Sequence, residues 1–222
     1  MAAWRTRAAV VVLALLPLSA VACSSGSDEG PVAEAPAAEV CGGFEKDAPS
    51  TAALRAVMGT DRFTSSLSEP EKAIEALREA AAVGPNSETG KPRAQAVPFC
   101  WLLPAEGGEA SLRVLLRPEL EVPERDPRFG DGVTYFSSGG RAYASDSSAS
   151  VFFRCRMDAP AHEIVVQTRV EGPTGGKSSG EDARVRVITL ANAAARGVAA
   201  DLGCKDTGLS SGVPAKSVAV SP

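Results

Sequence analysis

Five cysteines constrain this chain more than any other feature. Four of them, Cys41, Cys100, Cys155 and Cys204, lie 59, 55 and 49 positions apart, and the fifth, Cys23, stands near the N-terminus. No C-x-x-C pair exists, so neither a thioredoxin-type redox site nor a zinc ribbon fits. Cysteines spread this widely serve to join distant parts of one body, and 222 residues suit one domain with appendages. The composition is that of a chain that folds, 44% hydrophobic and 23% charged. Its net charge of -4, or -6 once Arg5 and Arg7 of the leader described next are removed, is the wrong sign for a general nucleic-acid binder.

Arg5 and Arg7 precede an apolar run from Ala8 to Leu18, and small residues follow as far as Ala22. This is the three-zone pattern of an export signal. The run of about 11 residues is too short to cross a hydrocarbon layer that needs about 20. The leader ends Ala20-Val21-Ala22-Cys23, which resembles the lipobox of bacterial lipoproteins. The resemblance implies that Cys23 becomes the first mature residue, carries diacylglycerol and palmitate-type chains, and holds the protein on the outer face of the cell membrane. Ala20 stands where that family more often has Leu, and the same residues fit an ordinary A-x-A cut that would release a secreted protein. Cysteine parity favours the anchor. An exported chain with five thiols leaves one unpaired, and a thioether at Cys23 leaves four.

Residues 23–40 hold Ser, Gly, Glu, Ala and Pro with almost nothing large and apolar, and read as a lipidated N-terminus followed by a disordered acidic linker. Residues 207–222 read as a flexible tail for the same reason, leaving a single domain over 41–206. Within it, Ser50 is placed to cap a helix in which Leu54, Val57 and Met58 share a face and Gly59 is the stop. Ser68 and Glu71 have capping-box spacing, Pro70 opens a second helix with Ile74, Leu77 and Ala81 on one side, and Gly84-Pro85 ends it.

From Val97 the period changes to two. Leu112, Val114 and Leu116 alternate with Arg113, Leu115 and Arg117; Val151, Phe153, Cys155 and Met157 with Phe152, Arg154 and Arg156; Ile164, Val166, Thr168 and Val170 with Val165, Gln167 and Arg169. A last helix, about Glu181 to Leu202, closes at Gly203. The fold class expected is α+β, an antiparallel sheet with helices packed on one face and two disulfides. Of three connectivities, Cys155 with Cys204 is favoured, because Cys155 is on the inward phase of its strand and Cys204 ends the helix that packs there; Cys41 with Cys100 follows by elimination. Four buried free thiols are the alternative.

Catalytic constellations are incomplete. Gly172-Pro173-Thr174-Gly175-Gly176-Lys177-Ser178 is one residue short of a phosphate-binding loop. Gly176-Lys177-Ser178-Ser179-Gly180 matches G-x-S-x-G, but the single histidine, His162, precedes the serine rather than following it. Ser178 is better placed as the cap of the last helix, with Glu181 completing the box. One histidine makes no metal site, and Glu119, Glu121, Glu124, Asp126 and Asp131 form a Pro-interrupted acidic stretch without EF-hand spacing, expected to be a solvated surface loop. No catalytic residue, metal or cofactor is assigned.

Arg113, Arg117, Arg154, Arg156 and Arg169 all fall on the polar phase of their strands, with Phe99, Trp101, Tyr143 and Phe152 placed to lie near them. They form a candidate anion-binding or partner-docking strip, against the alternative of a solvated face neutralised by Glu109, Glu163 and Glu171. On the leader, Cys23 and, more loosely, Leu202-Gly203-Cys204, the chain resembles the small actinobacterial (Streptomyces-like) exported lipoproteins. That resemblance implies location more than activity. The expectation is a membrane-anchored, non-enzymatic binding or accessory module of the cell envelope, with an envelope protein or anionic wall polymer as partner and no nucleic acid. A hydrolase using Ser178 or a carboxylate pair is the alternative.

Overall fold

In a computed structural model of the protein, the residues described are 34–36, 40–41, 48–65, 70–83, 95–125, 132–173 and 179–217. In chain order they form β1 (Glu34–Pro36), α1 (Ala48–Met58), β2 (Arg62–Ser65), α2 (Pro70–Val83), β3 (Val97–Pro104), β4 (Leu112–Glu119), β5 (Thr134–Ser137), β6 (Arg141–Ala144), β7 (Ser148–Cys155), β8 (Ile164–Glu171), α3 (Glu181–Leu202) and β9 (Ala215–Lys216). The strands make one nine-stranded sheet in the order β1-β2-β3-β4-β8-β7-β6-β5-β9. Every pairing is antiparallel.

One phase of the central strands is dry. Leu112, Val114 and Leu116 on β4, Ile164, Val166, Thr168 and Val170 on β8, and Ala149, Val151, Phe153 and Cys155 on β7 are buried beneath the helices. α3 packs on β7 and β8, α1 packs on α3, and α2 packs chiefly on β3. Much of the inner surface of α3 is alanine, including Ala191, Ala194 and Ala195, so its backbone approaches the sheet closely; Ile188 and Leu190 supply the bulk. Each fully buried Leu, Ile or Phe contributes about 1.5–3 kcal/mol.

The helix ends show what local sequence decides and what it does not. Gly59 (φ 73°) stops α1 and Gly203 (φ 72°) stops α3, both in the left-handed region that a Cβ disfavours. The expected caps at the other ends are not used. Ser50 lies inside α1 and is fully buried, because the helix begins two residues earlier at Ala48 with Pro49 in its first turn. α3 starts from Gly180 with no side-chain cap, so Glu181 is its first residue and not the third position of a box; Ser178 itself lies outside the described residues. The acceptor comes from across the fold, where the Asp146 carboxylate takes hydrogen bonds from the Gly180 N–H and, at 2.8 Å, from Arg184 Nε. Ser68 and Gly84-Pro85 also lie outside the described residues.

Two disulfides join Cys41 to Cys100 and Cys155 to Cys204, with Cα–Cα separations of 5.4 and 4.8 Å. Cys155 is fully buried at the end of β7, and Cys204 directly follows the αL glycine that ends α3.

Both expected boundaries move outward. Within the stretch expected to be a linker, Glu34–Pro36 pairs with β2 and Val40 is buried. Within the stretch expected to be a tail, residues 207–217 are fastened to the body. Asn192, fully buried on α3, accepts from Ser138 Oγ at 2.5 Å and donates from Nδ2 to the carbonyls of Ser210 and Gly212, both at 2.9 Å. Ser210 N–H donates to Ser138 Oγ, Ser210 Oγ donates to the Ser137 carbonyl, and β9 completes the β5 edge. These contacts use backbone groups, which leave no apolar period in the sequence.

Opening Cys155–Cys204 in a Cys155→Ala/Cys204→Ala variant should lower unfolding free energy by about 4 kcal/mol, since the bridge closes a loop of 49 positions. Asn192→Ala leaves buried acceptors unmet and should cost about 2–3 kcal/mol. Urea titration checks both, and hydrogen exchange should show amides of 208–217 losing protection first in the Asn192 variant.

Candidate functional site

The sheet face opposite the helices collects the polar phase. Arg113 and Arg117 (β4), Arg169 (β8) and Arg154 (β7) all lie on it, as expected. Arg156 does not extend the strip: it lies beyond β7, bridges Lys205, and its guanidinium is held by Asp206. Trp101 is opposite Arg113 on this face. Phe99 is not, because the register shift between Pro98 and Cys100 turns it toward α2, where it lines a groove with Ile74 and Ala82.

Every predicted arginine has a carboxylate. Arg113 meets Glu171 at 2.9 Å, Arg169 meets the other Glu171 oxygen at 3.0 Å, Arg154 meets Glu163 at 3.1 Å, and Arg117 meets Glu119. The neutralising partners include Glu163 and Glu171 as expected, with Glu119 in place of Glu109. An exposed pair such as Arg154–Glu163 stabilises by about 0–1 kcal/mol, whereas Arg117–Glu119 is partly buried.

The sequence reading missed Arg141. It projects from β6 on the same face, in one cross-strand row with Phe152, Gln167 and Arg117. Among the described residues its guanidinium finds no acceptor, and its Nη1 is buried. Arg117 Nε, Tyr135 Oη and Trp101 Nε1 are likewise buried donors without a partner. A donor left unpaired in this way costs about 1–3 kcal/mol. Among the described residues five guanidiniums, Arg113, Arg117, Arg141, Arg154 and Arg169, thus project from the sheet face beside three carboxylates, Glu119, Glu163 and Glu171. The 120–125 segment against the face adds Glu121, Glu124 and Arg125, in a chain of net charge -4. The short run Arg141–Ala144 alternates in period two, the only signal that would have found it.

Sheet order explains what buries these groups. The connection from β4 to β5 must pass β8, β7 and β6, because β5 lies beyond them. The described part of that connection, 120–125, lies against the face: a Cβ on Gly140 would stand 2.8 Å from a Val122 methyl, and the Arg125 guanidinium sits 4.1 Å above the Tyr135 ring. Phe152, Val165 and Gln167 are buried there although no helix covers them. Tyr143 stands between Tyr135 and Phe152, ring centroids 6.0 and 6.1 Å away. The acidic stretch is, in its described part, a strap against the face in which Glu121 and Glu124 are exposed, so these two carboxylates are solvated as expected. Asp126 and Asp131 lie outside the described residues, and among those described no three His, Cys, Asp or Glu side chains gather for a metal.

The other candidates stand apart. A cavity of about 600 Å³ opens beside Gly172, Pro173 and Ser179, walled by Val57, Met58, Val187, Asp146, Ser147 and Arg186. Thr174 to Ser178 lie outside the described residues. His162 is exposed just before β8, whereas Gly172 follows the far end of that eight-residue strand, about 26 Å along it. A second groove, along α2, is lined by Glu71, Glu75, Glu79, Arg78 and Asp201.

The two donors on Asp146, chiefly Arg184, hold its carboxyl below the ordinary aspartate range. A depressed folded pKa adds stability above the unfolded value and loses it as pH falls through the folded one, so this contribution should fade below about pH 4. Thermal midpoints measured between about pH 2 and 6 should therefore fall less steeply with acid in Asp146→Asn than in the wild type. The chain matches no family model, no curated protein and no solved structure.

Proposed function

We propose that the protein is a non-enzymatic binding or accessory module of the cell envelope, anchored to the outer face of the cell membrane through a diacylglyceryl thioether at Cys23 and acting through its helix-free sheet face. The observation that carries this reading is the cysteine pairing. Cys41–Cys100 and Cys155–Cys204 use four thiols within the folded body, and the odd fifth is the residue that follows an export leader. Disulfides fit an oxidising compartment. Two acyl chains hold a protein stably where one is marginal, each buried methylene contributing about 0.8 kcal/mol. The mode of action follows from charge: an acidic chain gathers an excess of guanidiniums beside Trp101, Tyr135 and Tyr143 on one face, a surface complementary to an acidic envelope protein or an anionic wall polymer.

The cavity beside Ser179 favours a second reading, an envelope hydrolase that uses Ser178 or a carboxylate pair. With His162 at the opposite end of β8, such an enzyme would need its base from elsewhere.

Mass spectrometry of the mature N-terminus should find diacylglycerol on Cys23, and the wild-type protein should enter the detergent phase on cloud-point separation. Cys23→Ala should move it to the aqueous phase. A free Cys23 thiol in the native product, or wild-type protein found wholly in water, overturns the anchor.

A further inference from the structure

We infer that the helix-free face contains an oxyanion site built by Arg141 and Arg117, roofed by the strap at 120–125, and that its ligand is a phosphate group of a phosphodiester polymer. This rests on the reading that this face is the binding surface; it does not depend on the lipid anchor.

Four observations converge. Arg141 and Arg117 occupy one cross-strand row, their backbones about 14 Å apart across three strand spacings, with Gln167 and Phe152 as the floor between them. Among the described residues Arg141 has no carboxylate, although three stand on the sheet face, and its Nη1, on a permanently charged group, is buried without an acceptor. Arg117 Nε, at the β4 end of the row, and Tyr135 Oη, one strand beyond its β6 end, are further buried donors without acceptors among the described residues. And the cover is a single strap that touches the sheet through Val122 on Gly140 and Arg125 on Tyr135. Unmet donors beneath the strap favour a state in which it lifts and an acceptor-rich group takes its place.

The donor geometry selects the ligand. Arg117 and Arg141 stand at the two ends of the row and Tyr135 lies one strand beyond Arg141, so the three donors are spread along the face over four strand spacings. A planar carboxylate has two acceptor oxygens, and Glu171 already divides its pair between Arg113 and Arg169. A tetrahedral phosphate presents acceptors on several sides, and a chain of phosphates meets donors spread along the face in succession. Arg169 and Arg113 continue on neighbouring strands, and each makes one hydrogen bond to Glu171 with guanidinium N–H groups to spare. A chain with repeated phosphates engages this succession; a single phosphate uses one position.

Calorimetric titration of the purified full chain at low salt tests the site, with three probes: a synthetic poly(glycerol phosphate), inorganic phosphate, and polyglutamate of matched charge. The polymer should bind most tightly, and Arg141→Gln should weaken it about tenfold or more. Arg62→Gln, whose arginine pairs with Glu34 at the sheet edge, should leave it unchanged. Gly140→Ala should tighten binding several-fold, because the new methyl displaces Val122 and raises the strap; Gly197→Ala, whose Cβ meets nothing, should not. Without ligand, Arg141→Met should hold or raise the thermal midpoint, whereas a structural arginine would lower it. The proposal is overturned by an Arg141→Gln protein that binds as the wild type does, by a lowered midpoint in Arg141→Met, or by absence of polymer binding in both wild type and Gly140→Ala. Equal binding of polyglutamate, or of inorganic phosphate alone, overturns the ligand assignment. Detergent partition of the same samples reads the anchor separately, so failure of the site and failure of the lipoprotein reading give different results.

Discussion

The junction between β7 and α3 organises this molecule. Cys155 is the last buried residue of the strand, Cys204 the first residue past the glycine that turns the chain out of the helix, and the disulfide ties them. With that end fixed, a 22-residue helix faced largely with alanine lies along β7 and β8. α1 then packs on α3 and α2 on β3, so all the helical bulk is on one side. Among the described residues the far side of the sheet carries no helix.

That far side is not simply wet. Antiparallel sheets with one covered face usually show water to the other, yet Phe152, Val165 and Gln167 are buried on the uncovered side. The cause is topological. β8, β7 and β6 stand between β4 and β5, and the described part of the β4–β5 connection, 120–125, lies over the sheet. An acidic, proline-broken stretch thus comes to rest near arginines. Its compensation is incomplete: among the described residues Arg113, Arg117, Arg154 and Arg169 each meet a carboxylate, but Arg117 Nε stays unpaired and Arg141 is left over. Buried donors without acceptors are rare in folded proteins because of their cost, and several on one face are a reason to look for a ligand there.

The surface ion pairs also show why a strip of arginines in a sequence is weak evidence of binding. Arg113 and Arg169 share Glu171 because β4 and β8 are neighbours in register, a fact that neither residue's position in the chain reveals. Arg156 has the same phase as Arg154 but leaves the strip, since its strand has ended and the Cys204–Asp206 segment draws it aside. Period two predicts the face a side chain takes only while the ladder continues.

Sequence alone determined the signals that live in short windows: the alternation of β4, β7 and β8, the stops at Gly59 and Gly203, the α+β order, and a pairing of Cys155 with Cys204 that follows once a strand and a helix are read side by side. The tertiary structure decided what depends on which elements become neighbours. Asn192, an unremarkable polar residue in a helical pattern, becomes the buried anchor of residues 207–217 because Ser138, Ser210 and Gly212 arrive beside it. Asp146 accepts from the N–H of Gly180, the residue at the N-cap of α3, because the β6–β7 turn reaches that helix end. The two-arginine row exists only because four strands align Arg117, Gln167, Phe152 and Arg141. Hydrophobic period is a property of a segment and survives in a string of letters; a hydrogen-bond partner is a property of a place, which only folding creates.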